Sequence, residues 1–166
     1  VNLVLIGPPG SGKTRLGKRV ARLLELPFLD TDKLVVAEHG PIAALFAEHG
    51  EPHFRALERS AVRAALAERA VVALGGGAIL DKDTQRDLAA HRVALITVSP
   101  EAVAPRIGGT KRPLLAGGLD AWRALVDARR PIYERLADAS WDTSDRPLDD
   151  IARDIATWAE GDITHD

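Results

Sequence analysis

Short unbroken apolar runs alternate along this chain with longer stretches in which apolar residues return every three or four positions. A brief apolar run that stops at a turn marks a strand buried on both faces. Residues 4–6, 26–29, 71–74 and 93–98 have that form, and 140–143 is the candidate last strand. The stretches between read as helices. One over 15–25 places Leu16, Val20, Leu23 and Leu24 on one face and Arg15, Lys18, Arg19 and Arg22 elsewhere. Residues 33–48 divide at Gly40-Pro41 into two short pieces, the second with Ile42, Leu45 and Phe46 on its apolar face. A longer helix over 53–69 carries Phe54, Leu57, Ala61 and Leu66 as its buried stripe, and 82–90 forms another. Ser99-Pro100-Glu101 starts the next helix, with proline in the first position, and Gly108-Gly109 ends it. From Leu119 a helix carries Trp122, Val126, Tyr133 and Leu136 on one face, with Pro131 expected to bend it. Pro147 opens a final helix that ends near Glu160.

Chemistry enters where the strands end. After the first comes Gly7-Pro8-Pro9-Gly10-Ser11-Gly12-Lys13-Thr14, the G-x-x-x-x-G-K-T spacing of a phosphate-binding loop. Glycines at 7, 10 and 12 let successive N–H groups turn toward phosphate oxygens at the positive end of the following helix. Lys13 reaches the β and γ phosphates, and the Thr14 hydroxyl is placed to ligate Mg²⁺. The second strand ends at Asp30-Thr31-Asp32. In an extended segment both carboxylates project to one side, toward the phosphates, with Thr31 turned away. Alternatively, Asp30 or Thr31 caps a helix starting near Lys33. The third strand ends at Gly75-Gly76-Gly77, either a backbone that something approaches closely or a permissive turn.

Other positions carry weaker signals. A basic loop, 110–116, is bracketed by Gly108-Gly109 and Gly117-Gly118 and has the hinges and charge of a lid over phosphates, or of a plain flexible loop. Arg129 falls on an apolar helix face, so it either meets an anion or snorkels. Arg55 and Glu58, three apart, can pair as a solvated ion pair. His49 and His53 have a metal-ligand spacing that Gly50 and Pro52 spoil, and the three tryptophans read as packing residues.

Composition narrows the partners. The 166 residues are the length of one domain, and 46% hydrophobic residues can build a sizeable core. A net charge of −2 without a basic run gives no reason to expect nucleic acid or an anionic membrane, so a small-molecule acceptor is the expectation. No cysteine means no disulfide and no thiolate chemistry, which fits a cytoplasmic enzyme. The first apolar run is too short for a signal-peptide core and no later one nears the ~20 residues of a membrane span, so a soluble chain is expected.

Taken in order, GPPGSGKT at 7–14, DTD at 30–32, FR at 54–55, GGG at 75–77, RPLL at 112–115 and RRPIY at 129–133 resemble the shikimate kinase family over nearly the whole chain. The resemblance implies an α/β three-layer P-loop kinase fold: one domain over 1–166, a five-stranded parallel sheet with helices on both faces, substrate-binding helices over 33–69 and a mobile lid over 108–118. It implies transfer from ATP to shikimate by a monomer. ATP would lie on Gly10, Ser11, Gly12, Lys13, Thr14 and Arg15, with lid Arg112 over it and Arg106, Arg146 and Pro147 on the adenine side. Shikimate would lie among Asp32, Phe46, Phe54, Arg55, Gly75, Gly76, Gly77 and Arg129, with Glu58 orienting Arg55. Thr14 and Asp30 would hold Mg²⁺. Lys13, Asp32 and Arg112 would carry the catalysis, Asp32 by taking the proton of the attacking hydroxyl. Two guanidinium forks suit one carboxylate, and glycine amides can donate with no side chain in the way.

The chain departs from the family after DTD, where residues 33–41 are shorter than usual and lack the family's glutamate at its usual place, and its lid is slightly short. These changes bear on the shape of the substrate-side helices more than on the chemistry. A GTPase is excluded by the want of an Asn-Lys-x-Asp motif, since Asn2 is the sole asparagine. A kinase of another hydroxy acid, such as gluconate, and a nucleotide-binding module without catalysis are the rival readings.

Overall fold

A computed structural model describes residues 1–107 and 118–163. Five strands, β1 (Leu3–Ile6), β2 (Phe28–Asp30), β3 (Val71–Ala73), β4 (Arg92–Thr97) and β5 (Ala139–Asp142), form one sheet in the order β2-β3-β1-β4-β5. Every pairing is parallel, with Leu5 between Ala73 and Ala94. The helices are α1 (Lys13–Leu24), α2 (Thr31–His39), α3 (Ile42–His49), α4 (Glu51–Ala67), α5 (Lys82–Leu88), α6 (Pro100–Ile107), α7 (Gly118–Leu136) and α8 (Leu148–Ile163). The expected α/β fold with five parallel strands is the observed one. The basic loop with Arg112 lies outside the described residues; Gly118 opens α7.

Alternation along β1 explains the layers. Leu3 and Leu5 face one side, in a core with Leu16 and Val20 of α1 and Ile151 and Ile155 of α8. Val4 and Ile6 face the other, with Val62 and Ala65 of α4, Leu88 of α5 and Tyr133 of α7. All four β1 residues are buried, which is why the run is apolar without a break. Because every strand points the same way, the loops after β1, β2 and β3 emerge at one edge, where ligands of open α/β sheets collect.

Tertiary packing moved several faces. On α1 the buried residues are Leu16, Gly17, Val20 and Ala21, while Leu23 is 48% exposed. α1 lies so close to the sheet that a Cβ on Gly17 would meet the Phe28 ring and come 3.0 Å from Leu5 Cδ1. That closeness puts the small Gly17 and Ala21 on the buried face in place of Leu23. On α4 the stripe is Phe54, Glu58, Val62 and Ala65, with Leu57, Ala61 and Leu66 partly buried. The helix α7 runs through Pro131, held by buried Trp122, Arg129 and Tyr133 on either side of it. The short pieces α2 and α3 do break at Gly40-Pro41, and with α4 they enclose a core of their own around Val35, Leu45 and Phe54.

Candidate active site

The phosphate loop joins β1 to α1. Gly10 and Gly12 sit at φ 81° and 95°, a left-handed backbone that residues with a Cβ rarely adopt. Lys13 curls back over the loop, its Nζ donating to the carbonyls of Gly7 at 2.7 Å and Pro8 at 3.0 Å. An incoming phosphate must draw it away from them.

Asp30 caps a helix as one expectation had it, and its two oxygens divide the work. Oδ2 accepts from the Thr14 hydroxyl at 2.8 Å, and Oδ1 accepts from Lys33 N at 3.2 Å as the cap of α2. The extended placing of Asp30 and Asp32 side by side is corrected. α2 starts at Thr31, so Asp32 lies in the helix's first turn. Thr31 is fully buried rather than turned away, and its hydroxyl accepts from Gly75 N at 2.9 Å. That bond ties β2 to β3 and places Asp32 over the glycines.

Each of the three glycines lies against one charged side chain. A Cβ on Gly75 would come 2.9 Å from Asp32 Cγ. One on Gly77 would come 2.7 Å from the Arg55 guanidinium carbon, and one on Gly76 3.4 Å from Arg129 Nη1. Arg129 Nη1 also donates to Gly76 O at 2.9 Å. Side chains at 75 and 77 would collide with Asp32 and Arg55 where they stand, whereas a Cβ at 76 would make only ordinary contact, so what approaches the backbone is the protein's own ionic groups. Gly75 supplies that space but no free donor, since its N–H is held by Thr31.

Arg55 is aimed by its neighbours. It donates to Glu58 at 2.9 Å and to Glu51 at 3.4 Å, and its guanidinium carbon lies 5.4 Å from the centre of the Phe54 ring. Phe54 in turn packs on Phe46, ring centres 4.8 Å apart. The solvated Arg55–Glu58 pair expected from spacing is not what forms: Glu58 is 3% exposed. Burial pushes its carboxyl up to about 6 from the ordinary 4.5, against the lowering pull of Arg55, while Asp32 adds to the rise. Arg129 is buried too, so the anion-meeting reading of its apolar face gains over snorkelling. Below it burial raises the Tyr133 phenol, with the Arg129 charge opposing.

The raised value has a definite sign. A folded carboxyl that holds its proton more tightly than the unfolded one contributes stability fully present below pH 4.5 and lost as pH rises through about 6. The span corresponds to about 2 kcal/mol. Glu58→Gln should remove that slope, so the difference in unfolding free energy between variant and parent, from urea titrations of the substrate-free protein, should change between pH 4.5 and 7. A difference constant with pH would mean that Glu58 titrates normally.

One cleft of about 1450 Å³ connects these groups. It runs from Arg106, Arg146 and Pro147 past Gly10, Gly12, Lys13, Thr14 and Arg15 to Asp32, Phe46, Phe54, Arg55, Gly75, Gly76, Gly77 and Arg129. Ser11, the remaining loop residue, is fully buried beneath it. Arg106 is already engaged, donating to Gly10 O at 3.0 Å and Thr143 O at 3.2 Å, and Arg146 pairs with Asp154 at 2.7 Å. Three partners of the site were missed from sequence. Thr31 is one; Trp122, whose indole N–H donates to Pro9 O at 2.8 Å, and Thr143, whose hydroxyl donates to Ser11 O at 2.7 Å, are the others. The demand of a buried indole N–H for an acceptor was the available signal for Trp122. The His49 and His53 rings stack 4.4 Å apart, and among the described residues no three ligating side chains gather as a metal site.

Comparison with known proteins agrees with this geometry. The shikimate kinase family model matches residues 9–160. A shikimate kinase of Salinispora arenicola is 48% identical over 158 residues, covering 92% of this chain and 94% of that protein. One from Thermobifida fusca is 46% identical, covering 92% and 91%. Among solved structures, shikimate kinase from Acinetobacter baumannii in complex with shikimate superposes with a TM-score of 0.91 at 30% identity, covering 97% and 93%. A gluconokinase from Sinorhizobium meliloti has a TM-score of 0.60 at 20% identity, covering 99% and 96%, a likeness of fold alone. A phosphate loop beside a glycine floor with two arginines, in a sequence nearly half identical to its relatives from end to end, has one consistent assignment: this chain belongs to the shikimate kinase family.

Proposed function

We propose that the chain transfers the γ-phosphoryl group of ATP to a hydroxyl of shikimate, giving ADP and shikimate 3-phosphate. The observation that carries this is the convergence of Arg55 and Arg129 on Gly77 and Gly76, with Asp32 on Gly75, in the cleft that also holds the phosphate loop. Two guanidinium groups bind the acceptor's carboxylate, and Asp32 accepts from its hydroxyls. Phe46 and Phe54 pack against the ring. Lys13 leaves the Gly7 and Pro8 carbonyls for the phosphates, where its charge offsets what accumulates on the transferred group. Asp32 takes the proton of the attacking hydroxyl. Arg106, Arg146 and Pro147 border the adenine, and Arg15 and the Gly10–Thr14 backbone border the phosphates. Arg112 takes its role from the family resemblance, its position being outside the described residues.

The Thr14 hydroxyl and Asp30 carboxylate, 2.8 Å apart at the start of α1, are hard oxygen donors and fit Mg²⁺, which commonly takes one or two protein oxygens and completes its shell with water and phosphate. Those two residues would hold it, and it would supply charge neutralisation across the phosphates. A monomer is the proposed working unit. No helix among the described residues is long and apolar enough to cross a membrane. Supply of ATP points to the cytoplasm as the place of work.

Arg129 offers the test of the acceptor assignment. Arg129→Lys keeps the charge but cannot reproduce a two-pronged fork, so KM for shikimate should rise about 10-fold while KM for ATP stays near its parent value. A rise confined to ATP would place Arg129 in the nucleotide site.

A further inference from the structure

A loop that points its N–H groups at an anion must point its carbonyls away from it, and carbonyls left without donors swing back. Here each carbonyl from Gly7 to Gly12 has a donor. Gly7 O and Pro8 O take Lys13 Nζ, Pro8 O also takes Ser11 N at 3.2 Å, and Gly12 O takes Leu16 N at 2.9 Å within the first turn of α1. The three in the middle are held from outside the loop, by three different parts of the chain. Trp122 on the first turns of α7 holds Pro9 O at 2.8 Å, Arg106 on α6 holds Gly10 O at 3.0 Å, and Thr143 after β5 holds Ser11 O at 2.7 Å.

The outer donors are themselves fixed. Trp122 is 2% exposed, packed with Val98, Val103 and Ile107. Thr143 is 3% exposed, its N–H bonded to Thr97 O at 2.9 Å and its hydroxyl accepting from Arg106 at 3.3 Å. Gly10 packs closely on α6, where a Cβ would lie 2.6 Å from Val103 Cγ2. We infer that Trp122 and Thr143 are positioning residues of the phosphate loop, holding the Pro9 and Ser11 carbonyls outward so that the loop is shaped for a nucleoside diphosphate before one arrives. Arg106 acts with them, but it also borders the nucleotide, so its own substitution cannot separate the two roles. Trp122 shares a helix face with Arg129, two turns further on, which makes acceptor affinity an internal control: damage to α7 as a whole would weaken both substrates.

The inference rests on the reading that this loop holds a nucleotide, so calorimetric binding of ADP with Mg²⁺ to the unsubstituted protein comes first, and no binding there would sink that reading. Given binding, Trp122→Phe, which keeps the ring and removes the N–H, and Thr143→Val, which keeps the shape and removes the hydroxyl, should each raise the ADP Kd about 10-fold, the worth of one buried hydrogen bond. Shikimate Kd should stay within about 2-fold, and Thr143→Ser should restore ADP affinity. Unchanged ADP affinity in both variants overturns the inference; so does a parallel loss of ADP and shikimate binding with a lowered Tm, which is the behaviour of plain core residues. Should the variants fail to fold, the Trp122 indole proton in the unsubstituted protein decides. Slow exchange with solvent, with a signal that moves on adding ADP and not shikimate, supports the clamp, and exchange at the rate of a free indole overturns it.

Discussion

Lys13→Ala should lower the turnover number at least about 10³-fold, with Tm nearly unchanged. The two halves of that expectation come from different states of one side chain. Without nucleotide, Lys13 is only half-buried and donates to the carbonyls of buried Gly7 and Pro8, of which Pro8 O keeps Ser11 N at 3.2 Å, so alanine costs the worth of one hydrogen bond, ~1 kcal/mol, and shifts Tm little. With nucleotide, its charge lies where negative charge builds during transfer, in a cleft partly screened from water, where the interaction is stronger than in bulk solvent. The check is ADP release under saturating ATP and shikimate, beside a thermal melt. A variant that turns over near the parent rate would remove the kinase assignment and favour a binding module, because no other described lysine lines the cleft.

Asp32→Asn should cost about 10²–10⁴ in kcat if the carboxylate takes the hydroxyl proton. Asparagine keeps the size and some hydrogen bonding but cannot accept a proton. The structure adds a complication worth measuring. Asp32 lies close enough to raise the pKa of Glu58, so neutralising it also eases the ionisation of Glu58 and tightens that residue's hold on Arg55. Shikimate affinity in the variant is therefore expected to be retained, and the loss should appear in turnover. Phosphoryl transfer through a loose transition state needs the base only late, which leaves positioning of the hydroxyl as the competing role. Shikimate binding titrations beside the kinetics separate the two: if weaker binding accounts for the whole defect, Asp32 positions and does not deprotonate.

What was legible beforehand follows from what each signal depends on. The loop at 7–14 reads correctly because its glycines answer to local backbone geometry, and β1, β3 and β4 read correctly because burial on both faces leaves an unbroken apolar run, whereas half-buried β2 starts two residues later than its apolar run suggests and β5 alternates between half-buried and exposed positions. Asp30 and Arg129 were identifiable by type and spacing. Glu58 was not, because a pair three apart on a helix looks the same in water as under a core; only the packing of α2 and α3 on α4 buries it. The shift of the buried face on α1 depends on where α8 lands, and α8 lies more than 120 residues downstream, as the numbering shows. Thr31 was misjudged because α2 starts there, two residues before the expected Lys33, the difference between an extended and a helical Asp32. The charged neighbours of Gly75, Gly76 and Gly77 come from α2, α7 and α4, a convergence that no local pattern in the sequence contains.

The most direct test of the proposed activity is ADP release by the unsubstituted protein, with ATP and Mg²⁺, in three parallel reactions containing shikimate, gluconate or no acceptor. Release that depends on shikimate, with gluconate no faster than the blank, is the predicted result. Equal rates in all three, or a rate led by gluconate, would contradict it.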